Sequence, residues 1–213
     1  MNYFKNSKEL NDYFWEKGQK FFFNPNKNRL DCLFDSNKEP SDEEWNVIQK
    51  IFPKNGVYVM FDITEKDENG LPKVVRIGIN REQDTLLKRI HSHYLGNKRK
   101  SIFRKHIGKC MPDWAEDNIT KYIQDNIQFV IIKVDNKTDR ENLEKMLISS
   151  FSNCSTSLSQ NWLGRKHPNP KISQGHLWNI QGLKAESLND SGEQLIFDGL
   201  MMDCDFDIDF YRD

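Results

Sequence analysis

A tyrosine, two arginines and a histidine are spaced along this chain so that together they can act on a phosphate ester. Tyr58 lies in GVYVMFDI and Arg76 in KVVRIGI, two runs that alternate apolar residues with others. The period of two sends Val57, Val59, Phe61 and Ile63 to one face, joined by Val75, Ile77 and Ile79 of the second run. Tyr58 and Arg76 are thereby left together on the opposite face. In DTLLKRIHSHYLG, Arg89 and His93 are four residues apart, hence neighbours on one flank of a helix. Hydrolysing a phosphodiester requires an activated water, stabilised charge on the phosphoryl oxygens and help for the leaving oxygen. Tyrosine, with an ordinary pKa of about 10, is a weak base unless nearby cations favour the phenolate, as Arg76 and Arg89 can for Tyr58. Arg89 can also clamp a non-bridging oxygen with its planar fork, and His93 can orient the water or relay a proton. Each residue taken alone has a plainer reading. Tyr58 is then an amphipathic strand residue, Arg89 a solvated cation, and His93 a surface or hydrogen-bonded core imidazole. His91 and His93 have too few partners to argue for zinc.

Holding these side chains together takes a hairpin and the helices packed on it. TEKDENGLP, with Asn69-Gly70 as its turn signal, joins the two alternating runs into that hairpin. IQFVIIKVD is apolar on both faces and reads as a third, central strand. Strands are therefore expected near 56–63, 74–79 and 127–135. Leu86, Ile90 and Tyr94 give the helix after the hairpin its buried stripe, with Gly96 as its stop. SIFRKHIGKC and WAEDNITKYIQ read as two further helices, and TDRENLEKMLISSF as a last one that buries Leu143, Leu147 and Phe151. Thr138 and Glu141 have the spacing of a capping box, which gives Glu141 a structural task that Glu144 lacks. The first fifty residues read as helical and aromatic-rich. SKELNDYFWEKGQKFFF is followed after a polar break by SDEEWNVIQKIF, capped by Ser41 and Glu44 and ended by Pro53. The expected fold is α+β, a small, mostly antiparallel three-stranded central sheet flanked by helices. The expected units are a helical N-terminal extension over 1–53, a core over 54–165 and a loop-rich C-terminal extension over 166–213.

Composition narrows the class. The chain has 213 residues, 37% of them hydrophobic and 30% charged, enough for a real core. No stretch approaches the roughly 18–20 apolar residues of a membrane helix, and MNYFKNSKEL has no apolar core of a signal peptide. Cys32, Cys110, Cys154 and Cys204 stand far apart, which fits reduced thiols in a cytoplasmic protein better than a disulfide framework or a zinc site. The net charge of −1 conceals an asymmetry. Between Asp84 and Asp113 there is no acidic residue, while Lys88, Arg89, Lys98, Arg99, Lys100, Arg104, Lys105 and Lys109 all fall there. Such a run is either a solvated face or the footprint of a phosphate-rich partner confined to one cleft. The tail, MDCDFDIDFYRD, runs acidic and alternates with Phe206, Ile208 and Phe210, as an edge strand would or, less simply, a DNA-mimicking arm. Trp162, Trp178 and His176, in NWLGRKHPNPKISQGHLWN, read as packing for a long loop.

Gly56-Val57-Tyr58, Arg76-Ile77-Gly78, Arg89 with His93, Glu144 with Ile148, and Asn161 follow one another in the order of the GIY-YIG nuclease superfamily, which this chain resembles over residues 54–165. NWLG and GHLWN also resemble a subgroup of uncharacterised proteins carrying that domain. One position departs from the pattern: Arg76 stands where the second motif begins with tyrosine. The resemblance implies an endonuclease that cleaves DNA. Tyr58 would activate water, supported by Arg76, and Arg89 would clamp phosphate with His93 beside it. Glu144 would hold one hard divalent cation, Mg²⁺ or Mn²⁺, which keeps most of its waters and needs only one or two carboxylates. Asn161 would steady the loop that closes the site, unless it is only a turn-forming asparagine. Glu144 has a plainer alternative too, an i,i+4 pair with Arg140. Lys88, Lys98, Arg99, Lys100, Arg104 and Lys105 would track the nucleic-acid backbone without reading sequence. Two other functions stay open at this point. One is a binding protein on the same fold, its cleavage lost through Arg76. The other is an interaction module that docks an acidic partner or its own tail.

Overall fold

Local sequence signals set most of the boundaries in the computed structural model, which describes residues 3–32, 41–152, 161–175, 177–179 and 188–202. Helix α1 (Ser7–Lys17) is capped by the Asn6 side chain and stops at Gly18, whose N–H closes onto Phe14. Strands β1 (Phe21–Asn24) and β2 (Arg29–Cys32) form a hairpin around a turn in which Asn28 adopts φ 51°, the left-handed region asparagine tolerates. Helix α2 (Asp42–Ile51) carries the expected capping box: Ser41 N–H donates to Glu44 at 2.6 Å and Glu44 N–H to Ser41 Oγ at 3.2 Å. Strands β3 (Gly56–Lys66) and β4 (Pro72–Ile79) form the long hairpin. Helices α3 (Leu86–Tyr94), α4 (Ile102–Cys110) and α5 (Glu116–Asn126) lead into strand β5 (Ile127–Lys133). Helix α6 (Lys137–Ser152), a 3₁₀ turn at Leu163–Lys166, a short α7 (Pro170–Ser173) and α8 (Asp190–Gly199) complete the described chain. No helix among the described residues is long and apolar enough to cross a membrane.

The sheet is antiparallel throughout, as expected, but has five strands in the order β2-β1-β5-β3-β4 rather than three. The two additional strands come from a segment that reads as helix in the sequence. Phe21-Phe22-Phe23 continues the aromatic run of α1, but Gly18 ends the helix and the Pro25-to-Asn28 turn reverses the chain. Phe21 then pairs with Phe129 of β5, and their rings stack at 5.4 Å. Burial of Phe21, Phe23 and Leu30 outweighs any helical preference, because strand propensity follows what the pleated surface can pack.

Helices cover both faces, so β5, apolar on both, lies between β1 and β3. Phe129 and Ile131 face one way, with Tyr58 and Met60, against Ile90, Tyr94, Phe103, Ile107, Ile119 and Ile123. Val130 and Ile132 face the other way, with Val57, Val59 and Phe61, against Leu10, Phe14, Leu143, Leu147 and Ile196. The β3–β4 register shifts twice, at Met60/Phe61 and at Asp62/Lys66, and the first shift breaks strict alternation in β4. Met60 faces Arg76 while Phe61 faces Val74, so Val75 is an extra residue. Val74, rather than Val75, therefore packs with Ile77, and Val75 joins the Tyr58 face.

The start of α6 also differs from expectation. Asn136 caps it, accepting Asp139 N–H at 3.1 Å on its side chain and Arg140 N–H at 3.0 Å on its carbonyl. Thr138 lies inside the helix, so Glu141 has no capping partner there. An asparagine oxygen two residues earlier reaches the free N–H groups first.

Candidate active site

Tyr58 and Arg76 reach the same cleft because the β3–β4 register puts Tyr58 opposite Gly78 and Met60 opposite Arg76. A Cβ at position 78 would collide with the Tyr58 phenol, so glycine there lets the ring lie across β4. The ring is fully buried, and its hydroxyl meets His93 Nε2 at 2.8 Å. His93 Nδ1 meets Ser101 Oγ, the cap of α4, at 2.8 Å. Burial first, then the charges of Arg76, Arg89 and Arg104, hold the His93 pKa well below its ordinary range. A neutral imidazole with one hydroxyl on each nitrogen can accept the tyrosine proton at Nε2 while its Nδ1–H donates to Ser101. His93 thus stands behind Tyr58 and does not line the cleft itself.

The cleft is open, about 520 Å³, and its walls include Tyr58, Arg76, Arg89, His106, Glu144 and Asn179. Arg76 donates from Nη1 to the Trp178 carbonyl at 2.8 Å, and its guanidinium sits 5.3 Å from the Phe103 ring centre. Its Nε, like that of Arg89, is buried with no hydrogen-bond partner. Glu144 is half-buried and has no hydrogen bond or ion pair among the described residues. Burial raises its pKa; Arg76 and Arg89 pull it back down, and Glu141 adds to the rise. An unpaired carboxylate across a cleft from two arginines offers hard oxygen donors to a cation and N–H donors to an anion. Glu141 and Lys145 lie on the same wall. No group of three His, Cys, Asp or Glu side chains suited to a metal occurs among the described residues. One glutamate, completed by substrate oxygens and water, is nonetheless a coordination pattern that Mg²⁺ accepts.

Asn161 is the candidate that the structure does not bring to this cleft: it is exposed, at the turn before Leu163, and is absent from the walls. Asn179 lines the cleft instead. Its Oδ1 accepts Ile77 N–H at 3.1 Å and its Nδ2 donates to the Ile77 carbonyl at 2.8 Å, while Trp178 N–H donates to Val75 at 2.7 Å. Residues 177–179 thereby follow the edge of β4 at one end of the cleft. Their sequence signal was the tryptophan–asparagine pair, readable only as loop packing. Trp162 and Trp178 do pack together, 5.3 Å between ring centres, and His176 lies outside the described residues. Glu141 had a signal as well, since it lies three residues before Glu144 on one helical face, and Lys145 is four residues after Glu141.

The cationic block divides. Arg104 is fully buried and cannot be a phosphate contact. It donates to the carbonyls of His93, Tyr94 and Glu116, to the Glu116 carboxylate at 3.1 Å and to Thr120 at 2.7 Å. Lys98 is half-buried, with Nζ on the Trp114 carbonyl at 3.0 Å. Spacing alone could not separate these two from their neighbours, because Arg104 falls on the buried flank of α4 and Lys98 in the turn before it, where the chain folds back onto Trp114. Lys88 is exposed and paired with Asp84 at 3.2 Å, whereas Arg99, Lys100 and Lys105 are exposed. The acidic tail lies outside the described residues.

The sequence model of the GIY-YIG domain matches this chain over residues 38–115 and 111–196, together well over half of its length. No curated protein and no solved structure matches it.

Proposed function

The chain belongs to the GIY-YIG family, and from that premise we propose that it is a divalent-metal-dependent endonuclease hydrolysing phosphodiester bonds in DNA. The observation that carries the reading is the convergence on one cleft of a buried tyrosine hydroxyl, two arginines and a glutamate, the arginine Nε atoms and the glutamate having no partner among the described residues. Tyr58, its hydroxyl oriented by the hydrogen bond to neutral His93, activates the attacking water. Arg89 and Arg76 hold the phosphoryl oxygens and offset the charge that grows on them. Arg76 therefore serves as an anion-binding side chain where the family has a second tyrosine. Glu144 holds Mg²⁺ or Mn²⁺, which supplies Lewis-acid stabilisation of the phosphate when bound. Asn179 keeps the edge of β4 closed beneath the substrate. Arg99, Lys100 and Lys105 follow the DNA backbone outside the cleft.

A supercoiled-plasmid nicking assay tests the reading. Nicking with Mg²⁺ that stops on adding a chelator supports it. DNA binding without nicking in Mg²⁺ or Mn²⁺ favours a binding protein instead, a reading consistent with the absence of a hydroxyl at position 76. Arg76→Tyr is then the substitution expected to restore cleavage.

A further inference from the structure

Those roles leave one element of the cleft wall unused, the pairing of His106 with His167. His106 Nδ1 and His167 Nε2 are 3.0 Å apart, with ring planes inclined at 69°. The other nitrogen of His167 is also engaged, because its Nδ1 accepts the backbone N–H of Asn169 at 3.0 Å. A backbone N–H can only donate, so His167 Nδ1 carries a lone pair, and the neutral ring must carry its proton on Nε2. That Nε2–H donates to His106 Nδ1, which is bare in turn. The proton of neutral His106 therefore sits on Nε2.

Protonating His106 would set two N–H groups against each other. Burial first, then the charges of His167, Arg76, Lys109 and Lys105, bring its pKa down to about 4. From α6, Glu141, Glu144 and Lys145 face it across the cleft. His106 is buried except where it lines this space, and its Nε2 has no hydrogen bond among the described residues.

We propose that His106 is a further catalytic residue, its Nε2–H donating a hydrogen bond to a non-bridging oxygen of the bound phosphate ester. His167 and the Asn169 backbone are the positioning groups that lock its tautomer. No proton is transferred, and both histidines leave the reaction as they began it. A pre-set neutral donor needs no reorganisation as charge develops on the phosphoryl oxygens, which is why such groups favour the transition state. The ester itself is supplied by the nuclease reading, on which this assignment rests; the locked donor does not depend on it.

The test has two arms. In the first, long-range ¹H–¹⁵N NMR reads the imidazole tautomers of the full chain, and inorganic phosphate is the probe, against chloride at matched ionic strength. His106 should be the Nε2–H tautomer near neutral pH, and its ring resonances should move with phosphate and not with chloride. His167→Gln, which keeps a donor, should preserve that tautomer. His167→Leu should let His106 titrate nearer the ordinary histidine value of about 6.5. An Nδ1–H tautomer, or resonances indifferent to phosphate, overturns the proposal. In the second arm, His106→Phe should lose about 10²-fold in kcat on plasmid, and His106→Gln, whose amide N–H can replace the donor, should recover most of it. Amide spectra confirm that each variant is folded, and a folded His106→Phe that cleaves at the parental rate also overturns the proposal. A parent that does not cleave defeats the nuclease reading instead, and the phosphate response then decides the donor alone.

Discussion

Arg89 and Arg104 come from the same acid-free stretch, yet they end in regions built on opposite terms. At the junction of α3, α4 and α5, Arg104 is fully buried and donates to three carbonyls, a carboxylate and a hydroxyl, with only its Nε unpartnered. In the cleft a few residues away, the Nε atoms of Arg76 and Arg89 have no partner and Glu144 has no ion pair among the described residues. Buried polar groups are normally satisfied, and one left open raises the free energy of the protein by an amount that a ligand can recover. The first region therefore holds the fold, and the second is open to a ligand.

Breaking each region separately should give opposite phenotypes. The largest effect is expected from Glu144→Gln, a loss of at least about 10²–10³-fold in cleavage rate, because it removes the half-buried carboxylate on which both Arg76 and Arg89 act. Its thermal midpoint should hardly move, since it deletes no core volume. Arg104→Ala should do the reverse, costing about 3 kcal/mol in denaturant unfolding through three orphaned carbonyls and a cavity. Neutralising Arg99, Lys100 and Lys105 together should lower DNA affinity without changing stability. The slope of log K against log salt should shrink by about 0.9 for each phosphate no longer neutralised. An equal change in slope from Lys98→Ala would show that buried and exposed members of the block are not distinct.

Acidity separates the regions too. Burial raises the Glu144 pKa, so the proposed cation site should lose its charge at a higher pH than an ordinary glutamate. Mn²⁺ affinity measured against pH should therefore fall early on the acid side. The buried His93, with its lowered pKa, contributes stability that is present above the ordinary histidine value and lost as pH falls below it. The smallest expected effects are on α6. Asn136→Ala should cost about 1 kcal/mol, and Glu141→Ala should stay within about 0.5 kcal/mol, because Asn136 and not Thr138 caps the helix.

The parts of this architecture visible in the sequence are those decided locally. Alternation placed Tyr58 and Arg76 on one surface, the doubly apolar IQFVIIK was central, and the Ser41–Glu44 box capped α2. What escaped depended on distant or competing partners. Phe21–Phe23 became a strand because Phe129 was there to pair with it. The bulge at Val75 broke a period that strict alternation assumes. Asn136 displaced Thr138 as cap because it could reach the same N–H groups from two residues earlier. Asn179 lines the cleft where Asn161 was expected because Trp178 and Asn179, more than a hundred residues along the chain from Tyr58, bond along the edge of β4. Arg104 and Arg99 carry the same charge in the same run, and only the packing of α4 on α3 and α5 distinguishes them.

In the proposed metal-dependent cleavage, the buried Tyr58 hydroxyl, held by His93, is the group that activates water. Tyr58→Phe tests this role most directly, since the ring still covers Gly78 and only an oxygen is lost. In a single-turnover plasmid assay with Mg²⁺, the parent should nick DNA. Tyr58→Phe should be slower by about 10²-fold or more, with unchanged DNA affinity. A phenylalanine variant that nicks at the parental rate would contradict the account.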